Sequence, residues 1–546
     1  MSRTRRTSGP WWQSPTSWIG LLIGAMMGCS AADSSTLRPT PTVSAEASGP
    51  HAPLDPLDAT IAEHWHAAGV TPAAPANDTE FLRRVTLDLI GRIPTPDEVD
   101  RFMTSDDPRK RAALVDDLLA RDAFAEHWAD VLTQTLLGGA VQERRRLREG
   151  LHTWIEDELH EGRGWDEMTT TMLTASGDTS PPGAAAFMAV HGRKNQVEAL
   201  TGQTARVFLG LQLQCAQCHD DPDDRFTQDQ FYGLAAYYAQ TRVRQTKVDG
   251  VRVPRIIDKR RGQMRMPTET DAPGDRSGPR VTPSFPALDV GPRPDETRRQ
   301  TLARGVVGSP LFAKAAVNHA WAQLMGRGIV EPWDDLGALQ GTEHPPLLEH
   351  LAADLVAHDH DLRHLLRQIV LSSAYQRSSQ SEAEGAAART QAFAQAAVRP
   401  MSTDQLLRSL LVATGLQDVQ GRAFRREVQT RRQRISKEYA LVFDDDEMAS
   451  ADTLRGNVPQ ALLLLNGELT NQGVAARAGA VARILRDHPE PSARLDALFV
   501  RVFGRPPSAE RRAELLTFVD GRDHDPEAYE DLMHAMLVSS EFLTIH

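Results

Sequence analysis

Phe81–Glu98, with the sequence FLRRVTLDLIGRIPTPDE, is the stretch that decides the fold. Its apolar residues recur at three-to-four spacing, which predicts an amphipathic helix. Pro94–Glu98 ends that helix and starts another, with Thr95 as the predicted N-cap. The same helical period recurs further along the chain, at Leu114–Leu119, Leu151–Leu159 and Val197–Leu213. The sequence therefore predicts a mainly α-helical protein.

An irregular segment divides the helical pattern into two parts. Helical spacing covers residues 58–240, and it returns from residue 299 to the end of the chain at residue 546. Between them, residues 241–298 are dense in Pro, Gly and charge, and Asp249-Gly250 within Lys247–Val253 suits a type I′ hairpin turn. We therefore expect a multi-helical fold of two interlocked helical parts, with a short β-hairpin and an irregular insert at 241–298.

Two short patterns occur twice. The matching pairs are Leu89–Asp97 with Val502–Glu510, and Ser372–Tyr375 with Ser539–Phe542. They predict a reused helix–turn–helix unit. Arg92 and Arg505, which follow the paired glycines, are expected to bind helix-terminal carbonyls or an acidic side chain. Arg84 and Asp88 are four residues apart and are expected to form a structural ion pair.

The N-terminal segment has the features of a targeting signal. A basic start precedes Trp18–Gly28, an apolar core too short to span a bilayer. The sequence around Cys29 resembles a lipoprotein cleavage box, in which a small residue precedes an acylated cysteine. Residues 1–29 are thus predicted to be a lipoprotein-type signal peptide and 30–57 a disordered tether rich in Ser, Thr, Pro and Ala. We expect a cell-envelope lipoprotein, outer-membrane or periplasmic, with simple secretion as the alternative.

The charge and cysteine content of the chain limit the classes of binding partner that we expect. Of 546 residues, 25% are charged and the formal net charge is −12, which argues against a nucleic-acid partner. A membrane contact through the lipid anchor and a redox partner protein are the expected partners. The chain has three cysteines, so Cys215 and Cys218 are the only ones beyond the predicted signal. Outside the cytoplasm such a pair does not stay as two free thiols by default.

Cys215-Ala-Gln-Cys218-His219 has the Cys-x-x-Cys-His form that attaches c-type haem. In that hypothesis the two thiols bind the haem covalently, His219 is the proximal iron ligand, and Met266 is the distal ligand, with Met264 and His191 as alternatives. Two other interpretations stay open. One is a metal site that uses these side chains and an aspartate from Asp220–Asp224, and the other is a Cys215–Cys218 disulfide.

Five long motifs, in this order, resemble the planctomycete-cytochrome-associated domains of unknown function numbered 1549 and 1553. They are Phe81–Glu98, Val207–Leu234, Ala316–Pro332, Ile369–Ser378 and Val458–Gly467. The resemblance implies an exported, mostly helical bacterial protein and brings no established activity. Family members commonly continue the cysteine motif as Cys-His-Asp-His-Pro-Phe, whereas here Asp221 and Asp223 replace the second histidine and the aromatic residue.

The remaining polar clusters are expected to be structural or solvated. His360 and His364 have the i, i+4 spacing of a helical metal site, with His350 and His358 nearby, yet we expect solvated side chains. The acidic run after the motif is interpreted as a solvated loop or a docking patch for a basic redox partner. Hydrolase and phosphate-loop signatures are absent from the sequence, so no catalytic residue is predicted. The leading function is extracytoplasmic electron transfer. The alternatives are a non-redox envelope scaffold with the disulfide and, with no residue to support it, an enzyme acting on extracellular polymers.

Overall fold

Helices make up most of the computed structural model, which confirms the mainly α prediction. It describes residues 55–137, 145–179, 183–191, 196–222, 225–267, 278–339, 344–380, 384–416 and 479–546. The predicted signal peptide, Cys29 and nearly all of the predicted tether lie outside these residues. Within the described part, no helix has both the length and the apolar character needed to cross a bilayer.

The helices and strands follow one another along the chain with these bounds. The part before the insert contains α1 Pro56–Ala67, α2 Asp78–Ile90, α3 Pro96–Met103, α4 Lys110–Ala120, α5 Asp122–Leu137, α6 Arg145–His160, α7 Trp165–Thr174, β1 Gly177–Asp178, α8 Ala185–Val190, α9 Gln196–Thr204 and α10 Gln228–Ala235. The insert contains β2 Thr241–Val248, β3 Val251–Asp258, β4 Met264–Arg265 and β5 Arg280–Val281. The part after it contains α11 Arg298–Val307, α12 Pro310–Met325, α13 Pro346–Ala357, α14 Leu362–Leu371, α15 Ala386–Gln391, β6 Arg399–Pro400, α16 Thr403–Thr414, α17 Gly479–Asp487, α18 Pro491–Phe503, α19 Ala509–Asp520, α20 Pro526–Leu537, α21 Ser540–Leu543 and β7 Thr544–Ile545. Short π and 3₁₀ turns lie at Ala205–Leu209, Cys215–Gln217 and Leu336–Leu339.

Helix α2 is the fold-deciding stretch, and local chemistry sets both of its ends. The Asn77 side chain accepts a hydrogen bond from the Glu80 backbone at 2.9 Å, which caps the N-terminus. Gly91 ends the helix in the left-handed region, with φ of 68°. Nearly every side chain of α2 is buried, charged ones included. Such a helix is stable only if its buried charges find partners.

The repeated serine motifs form the same turn twice. Ser372 Oγ donates to the Ile369 carbonyl at 2.7 Å and accepts from the Tyr375 backbone N–H at 3.3 Å. Ser539 Oγ donates to the Met536 carbonyl at 2.6 Å and accepts from the Phe542 backbone N–H at 3.3 Å. The predicted reuse of this turn is thereby confirmed.

Consecutive arginines of α2 bind these two turns in the same way. Arg84 Nη1 donates to the Tyr375 carbonyl at 2.6 Å, and its guanidinium lies 5.6 Å from the Tyr375 ring centre. Arg83 Nη2 donates to the Phe542 carbonyl at 2.9 Å, and its guanidinium lies 5.9 Å from the Phe542 ring centre. One helix therefore satisfies carbonyls from two turns that are far apart in the sequence.

The arginines that follow the paired glycines also have the expected partners. Arg92 donates to both carboxylate oxygens of Glu98 at 2.8 Å and to the Ile93 carbonyl at 2.9 Å. Burial alone would raise the pKa of Glu98, but hydrogen bonds from Arg92, the Thr95 backbone and Arg121, together with the charge of Arg92, outweigh it and lower that pKa to about 2. Arg505 pairs with Glu541 at 2.7 Å. Both arginines are structural, as predicted.

The predicted Arg84–Asp88 ion pair is wrong. Arg84 pairs with Glu80, four residues earlier, at 2.7 Å. Side chains on a helix lean towards its N-terminus, so Arg84 covers the turn that contains Glu80. Asp88 instead accepts hydrogen bonds from the Tyr375 hydroxyl at 2.7 Å and from Arg399 Nη2 at 2.8 and 2.9 Å.

Two hydrophobic cores show how the helical parts interlock. The first contains side chains from Leu57 to Ala394, so helices from both halves of the chain build it. The second is formed mainly by side chains from Leu406 to Ile545, together with Leu87 and Ile93. Because α2 presents Leu82 and Val85 to the first core and Leu87 to the second, it joins the two.

The insert contains the predicted hairpin. Strands β2 and β3 pair antiparallel, and Val248 lies opposite Val251. Asp249 and Gly250 both have positive φ, 50° and 80°, as a type I′ turn requires. At the other end of the hairpin, Asp258 binds the buried Arg299 of α11 at 2.6 Å, which ties the insert to the next helix.

Candidate functional site

The Cys-x-x-Cys-His motif lies on an exposed turn whose backbone is anchored. Gly210 ends the preceding π turn with φ of 61°, and its carbonyl accepts from the Leu336 backbone at 2.6 Å. The chain then forms the 3₁₀ turn, in which Ala216 is buried while Cys215 and Cys218 are exposed. Their thiols are not bonded to each other in this structure. Both sulfurs are thus accessible on one short turn.

His219 is exposed and has one ring nitrogen engaged. Its Nδ1 lies 2.7 Å from the Asp220 carbonyl oxygen. With the proton on Nδ1, that nitrogen donates to the carbonyl and Nε2 keeps its lone pair. Histidines that bind metals usually have this arrangement, because a backbone or carboxylate acceptor fixes the tautomer and the ring orientation.

Helix α10 holds the turn from behind. Gln228 Nε2 donates to the Cys218 carbonyl at 3.0 Å and to the Gln217 carbonyl at 3.3 Å. The Tyr232 hydroxyl donates to the Gln217 carbonyl at 3.2 Å. Burial and the neighbouring Cys218 raise the pKa of Tyr232, so this hydroxyl stays a donor at neutral pH. These two side chains therefore hold the turn through its backbone carbonyls.

Asp221, which replaces the second histidine of the family motif, has a structural role. Its side chain is buried and accepts from Arg225 at 3.1 and 3.2 Å. Arg225 also donates to the buried Asp335 at 2.6 Å. The hydrogen bonds to these carboxylates raise the pKa of Arg225. Asp223 and Asp224 lie outside the described residues.

The candidate distal ligands differ in exposure. Met264 is buried, whereas Met266 is half-buried, with its backbone hydrogen-bonded to Pro279 and Gly278. Strands β4 and β5 contact α10, which also contacts the cysteine turn. His191 packs its ring edge against Phe187 at 5.8 Å. The structure therefore places the strand that precedes Met266 beside the helix that supports the motif.

The expectation that His360 and His364 lie on one helix is wrong. Helix α13 ends at Ala357 and α14 starts at Leu362, so His360 lies in the turn, with φ of 55°. Its ring packs against Phe312 at 5.5 Å. His364 instead stacks on His358, with ring centres 3.7 Å apart, and both rings face Asp354.

Sequence reasoning missed this group of three. Among the described residues it is the one set of three His, Cys, Asp or Glu side chains whose ligand atoms all lie within 4.8 Å of one another. The cysteine turn is not such a set, so the metal-site interpretation of that turn gains no support. The available signal was Asp354-x₃-His358, an i, i+4 pair that ends a helix.

Family models match both helical parts. Residues 56–243 match a family described as a protein of unknown function, DUF1549 (PSCyt2), and residues 298–519 match one described as a protein of unknown function, DUF1553 (PSD1). The chain belongs to these two families. The predicted resemblance is confirmed, and the cysteine turn lies within the DUF1549 part. A search of curated proteins and of solved structures finds no match.

Proposed function

We propose that this DUF1549–DUF1553 protein is an exported, lipid-anchored c-type haem protein that transfers electrons outside the cytoplasm. The observation that carries the proposal is the arrangement at 215–219, where two exposed thiols adjoin an exposed imidazole whose Nδ1 already has an acceptor. The donor set fits the group, since each thiol can add across one vinyl group to form a thioether and His219 Nε2 can bind the iron.

The rest of the chain supplies support around that donor set. The side chains of Gln228 and Tyr232 donate to backbone carbonyls of the turn and so orient it without using its thiols. Met266 is the proposed distal ligand, because it is half-buried and directly follows β4, the strand that neighbours α10, while Met264 is packed in the core. The bound haem would supply reversible one-electron transfer. Exposed Asp220 and Asp229 give this face a negative edge suited to a basic redox partner.

Haem attachment is tested by expression in a host that has the c-type maturation machinery. The expected result is a Soret band and a haem mass adduct that survives denaturation. Cys215→Ala/Cys218→Ala should remove the adduct, whereas Cys29→Ala should keep it. A colourless protein with a mass lower by two hydrogens would contradict the proposal and favour the alternative, a non-redox envelope scaffold with a Cys215–Cys218 disulfide.

The axial ligands are tested separately. His219→Ala should keep the covalent adduct and change the spin state of the iron, because thioether formation does not use the imidazole. Met266→Ala should lower the midpoint potential, since thioether ligation raises it. Met103→Ala is the matched control, because Met103 is an exposed methionine at the end of α3. An unchanged potential in Met266→Ala would show that Met266 is not the ligand.

Lipid anchoring is tested by fractionation. The wild-type protein should remain with membranes after a high-salt wash, because the several acyl chains of a bacterial lipoprotein anchor it firmly. Cys29→Ala should move it to the soluble fraction. A wild-type protein found only in the soluble fraction would indicate simple secretion.

A further inference from the structure

Three potential metal ligands meet where α13 ends and α14 begins. His364 Nε2 lies 2.7 Å from Asp354 Oδ2, and His358 Nδ1 lies 3.3 Å from Asp354 Oδ1 and 2.8 Å from the Asp354 backbone carbonyl oxygen. The two imidazoles are nearly parallel, with 16° between their planes. The side chains of Asp354, His358 and His364 are 25%, 48% and 20% exposed, so solvent reaches all three.

The turn between the helices is fixed by its own backbone. Asp359 and His360 both adopt the left-handed region, with φ of 53° and 55°. The His360 backbone N–H donates to the Leu355 carbonyl at 2.9 Å. Asp361 then caps α14 by accepting from the Arg363 backbone at 2.8 Å. The three ligands are therefore held on neighbouring helix ends before any ion binds, which lowers the entropic cost of binding.

The donor set selects a class of ion. Two imidazoles and one carboxylate suit Zn²⁺ and similar divalent transition metals, whereas Ca²⁺ and Mg²⁺ prefer sites made of oxygen ligands. His358 follows the last residue of α13, where the helix dipole favours positive charge. The geometry points to a Zn²⁺-class site formed by Asp354, His358 and His364, with solvent completing the coordination. This site is independent of the proposed haem turn.

Ion binding requires the two imidazole rings to reorient on their helix ends. Ligands at about 2.0–2.2 Å from a tetrahedral Zn²⁺ lie roughly 3.3 Å from one another. The His358–Asp354 separation of 3.3 Å matches this value, and the His364–Asp354 separation of 2.7 Å would widen by about 0.6 Å. The ion would take the place of the proton that joins His364 to Asp354. His358 would carry its ring proton on Nε2, and its Nδ1 would turn from the Asp354 carbonyl towards the ion as the two imidazoles rotate out of their stack.

The chain carries its own matched control at the α19–α20 turn. Asp523 and His524 also have positive φ, 51° and 56°, and Asp525 caps the next helix. His524 Nε2 lies 3.3 Å from Asp520 there. Among the described residues, this second turn brings together no third potential ligand. It repeats the backbone and one His–Asp pair without the complete set.

The test is zinc binding to residues 30–546, which omit the predicted signal peptide and Cys29, without a polyhistidine tag. A Cys215→Ser/Cys218→Ser background removes the thiols, which would otherwise compete for Zn²⁺. After chelator treatment, titration with Zn²⁺ should give one tight equivalent. His364→Ala, and separately Asp354→Asn, should weaken it by at least about tenfold, since the loss of second-shell partners alone reaches that range. His524→Ala should leave the affinity unchanged.

Two further measurements keep the test decisive if a variant unfolds. Circular dichroism reports folding of each variant, and Co²⁺ in place of Zn²⁺ reports ligand type through its absorption bands. In the unsubstituted chain, Zn²⁺ should protect His358 and His364, but not His524, from diethyl pyrocarbonate. Absence of a tight equivalent in the thiol-free background, unchanged affinity in folded His364→Ala, or equal modification with and without Zn²⁺ would each overturn the proposal.

Discussion

Replacement of Asp88 by Ala should destabilise the protein strongly. Its carboxylate is 3% exposed and accepts hydrogen bonds from the Tyr375 hydroxyl and from Arg399. Without it, Tyr375 loses its acceptor inside the core, and Arg399 keeps only the Gln323 carbonyl at 2.7 Å. Removing one partner of a buried ion pair costs about 3–5 kcal/mol, because the other charge stays buried.

Two substitutions calibrate this value. Tyr375→Phe removes a single hydrogen bond to the same carboxylate and should cost about 1.5–3 kcal/mol. Asp116→Ala breaks an ion pair with Arg367 whose side chains are 55% and 39% exposed, and it should cost at most about 1 kcal/mol. The free energy of unfolding is measured by urea titration, followed by circular dichroism and tryptophan fluorescence to check that the transitions coincide.

The position of the effect is also predicted. Arg399 belongs to β6, which pairs with β7 through Ile545. Hydrogen exchange of the β6–β7 amides should therefore accelerate in Asp88→Ala before that of the first core. If Asp88→Ala costs no more free energy of unfolding than Asp116→Ala, the assignment of Asp88 as the link between α2 and β6 is refuted.

Three further predictions concern other described contacts. Burial lowers the pKa of His127 to about 3, so the imidazole stays neutral in the folded protein while it becomes protonated below pH 6.5 in the unfolded chain. The free energy of unfolding should therefore fall on acidification by up to about 1.4 kcal/mol per pH unit. His127→Gln should reduce this pH dependence in urea titrations between pH 4 and 6.5. Gly91→Ala should lower the free energy of unfolding by about 3 kcal/mol or more, because φ is 68° and an added Cβ would lie 2.5 Å from His127 Nδ1. Gly69→Ala is the control, since Gly69 has a similar φ but open space around it, and it should lower the same free energy by about 1 kcal/mol. Asp221→Asn should weaken the hold on Arg225 and increase hydrogen exchange at residues 219–222.

Each of these has a clear contrary result. An identical pH slope in wild type and His127→Gln would assign the acid sensitivity to other groups. Equal costs at Gly91 and Gly69 would mean that His127 moves aside without penalty. Unchanged exchange in Asp221→Asn would show that the Asp221–Arg225 pair does not help to fix the cysteine turn.

Much of the local structure could be read from the sequence, because it depends on neighbouring residues. The Asp-Gly dipeptide located the hairpin turn, since only such residues readily adopt positive φ at both positions. Thr95 caps α3 as predicted, with a capping box completed by Glu98. The Cys-x-x-Cys-His motif likewise gathers its side chains through local chain geometry alone.

Contacts between distant segments could not be read in this way. Arg84 has acidic residues four positions before and after it, and sequence spacing does not distinguish them. The Asp88 carboxylate instead accepts hydrogen bonds from Tyr375 and Arg399, which lie about three hundred residues further along the chain. His360 and His364 have helical spacing, but His360 is itself a left-handed residue of the turn before α14, so the two share no helix face and His364 stacks on His358 instead.

The sequence by itself determined the helical class, the two families, the hairpin and the cysteine turn, because periodicity and turn chemistry act over a few residues. Only the tertiary structure decided which charges pair, that α2 joins both cores, and that Asp354, His358 and His364 meet. Those outcomes depend on which faces of distant helices pack together, and burial forces each enclosed polar group to find a partner from whatever segment lies beside it.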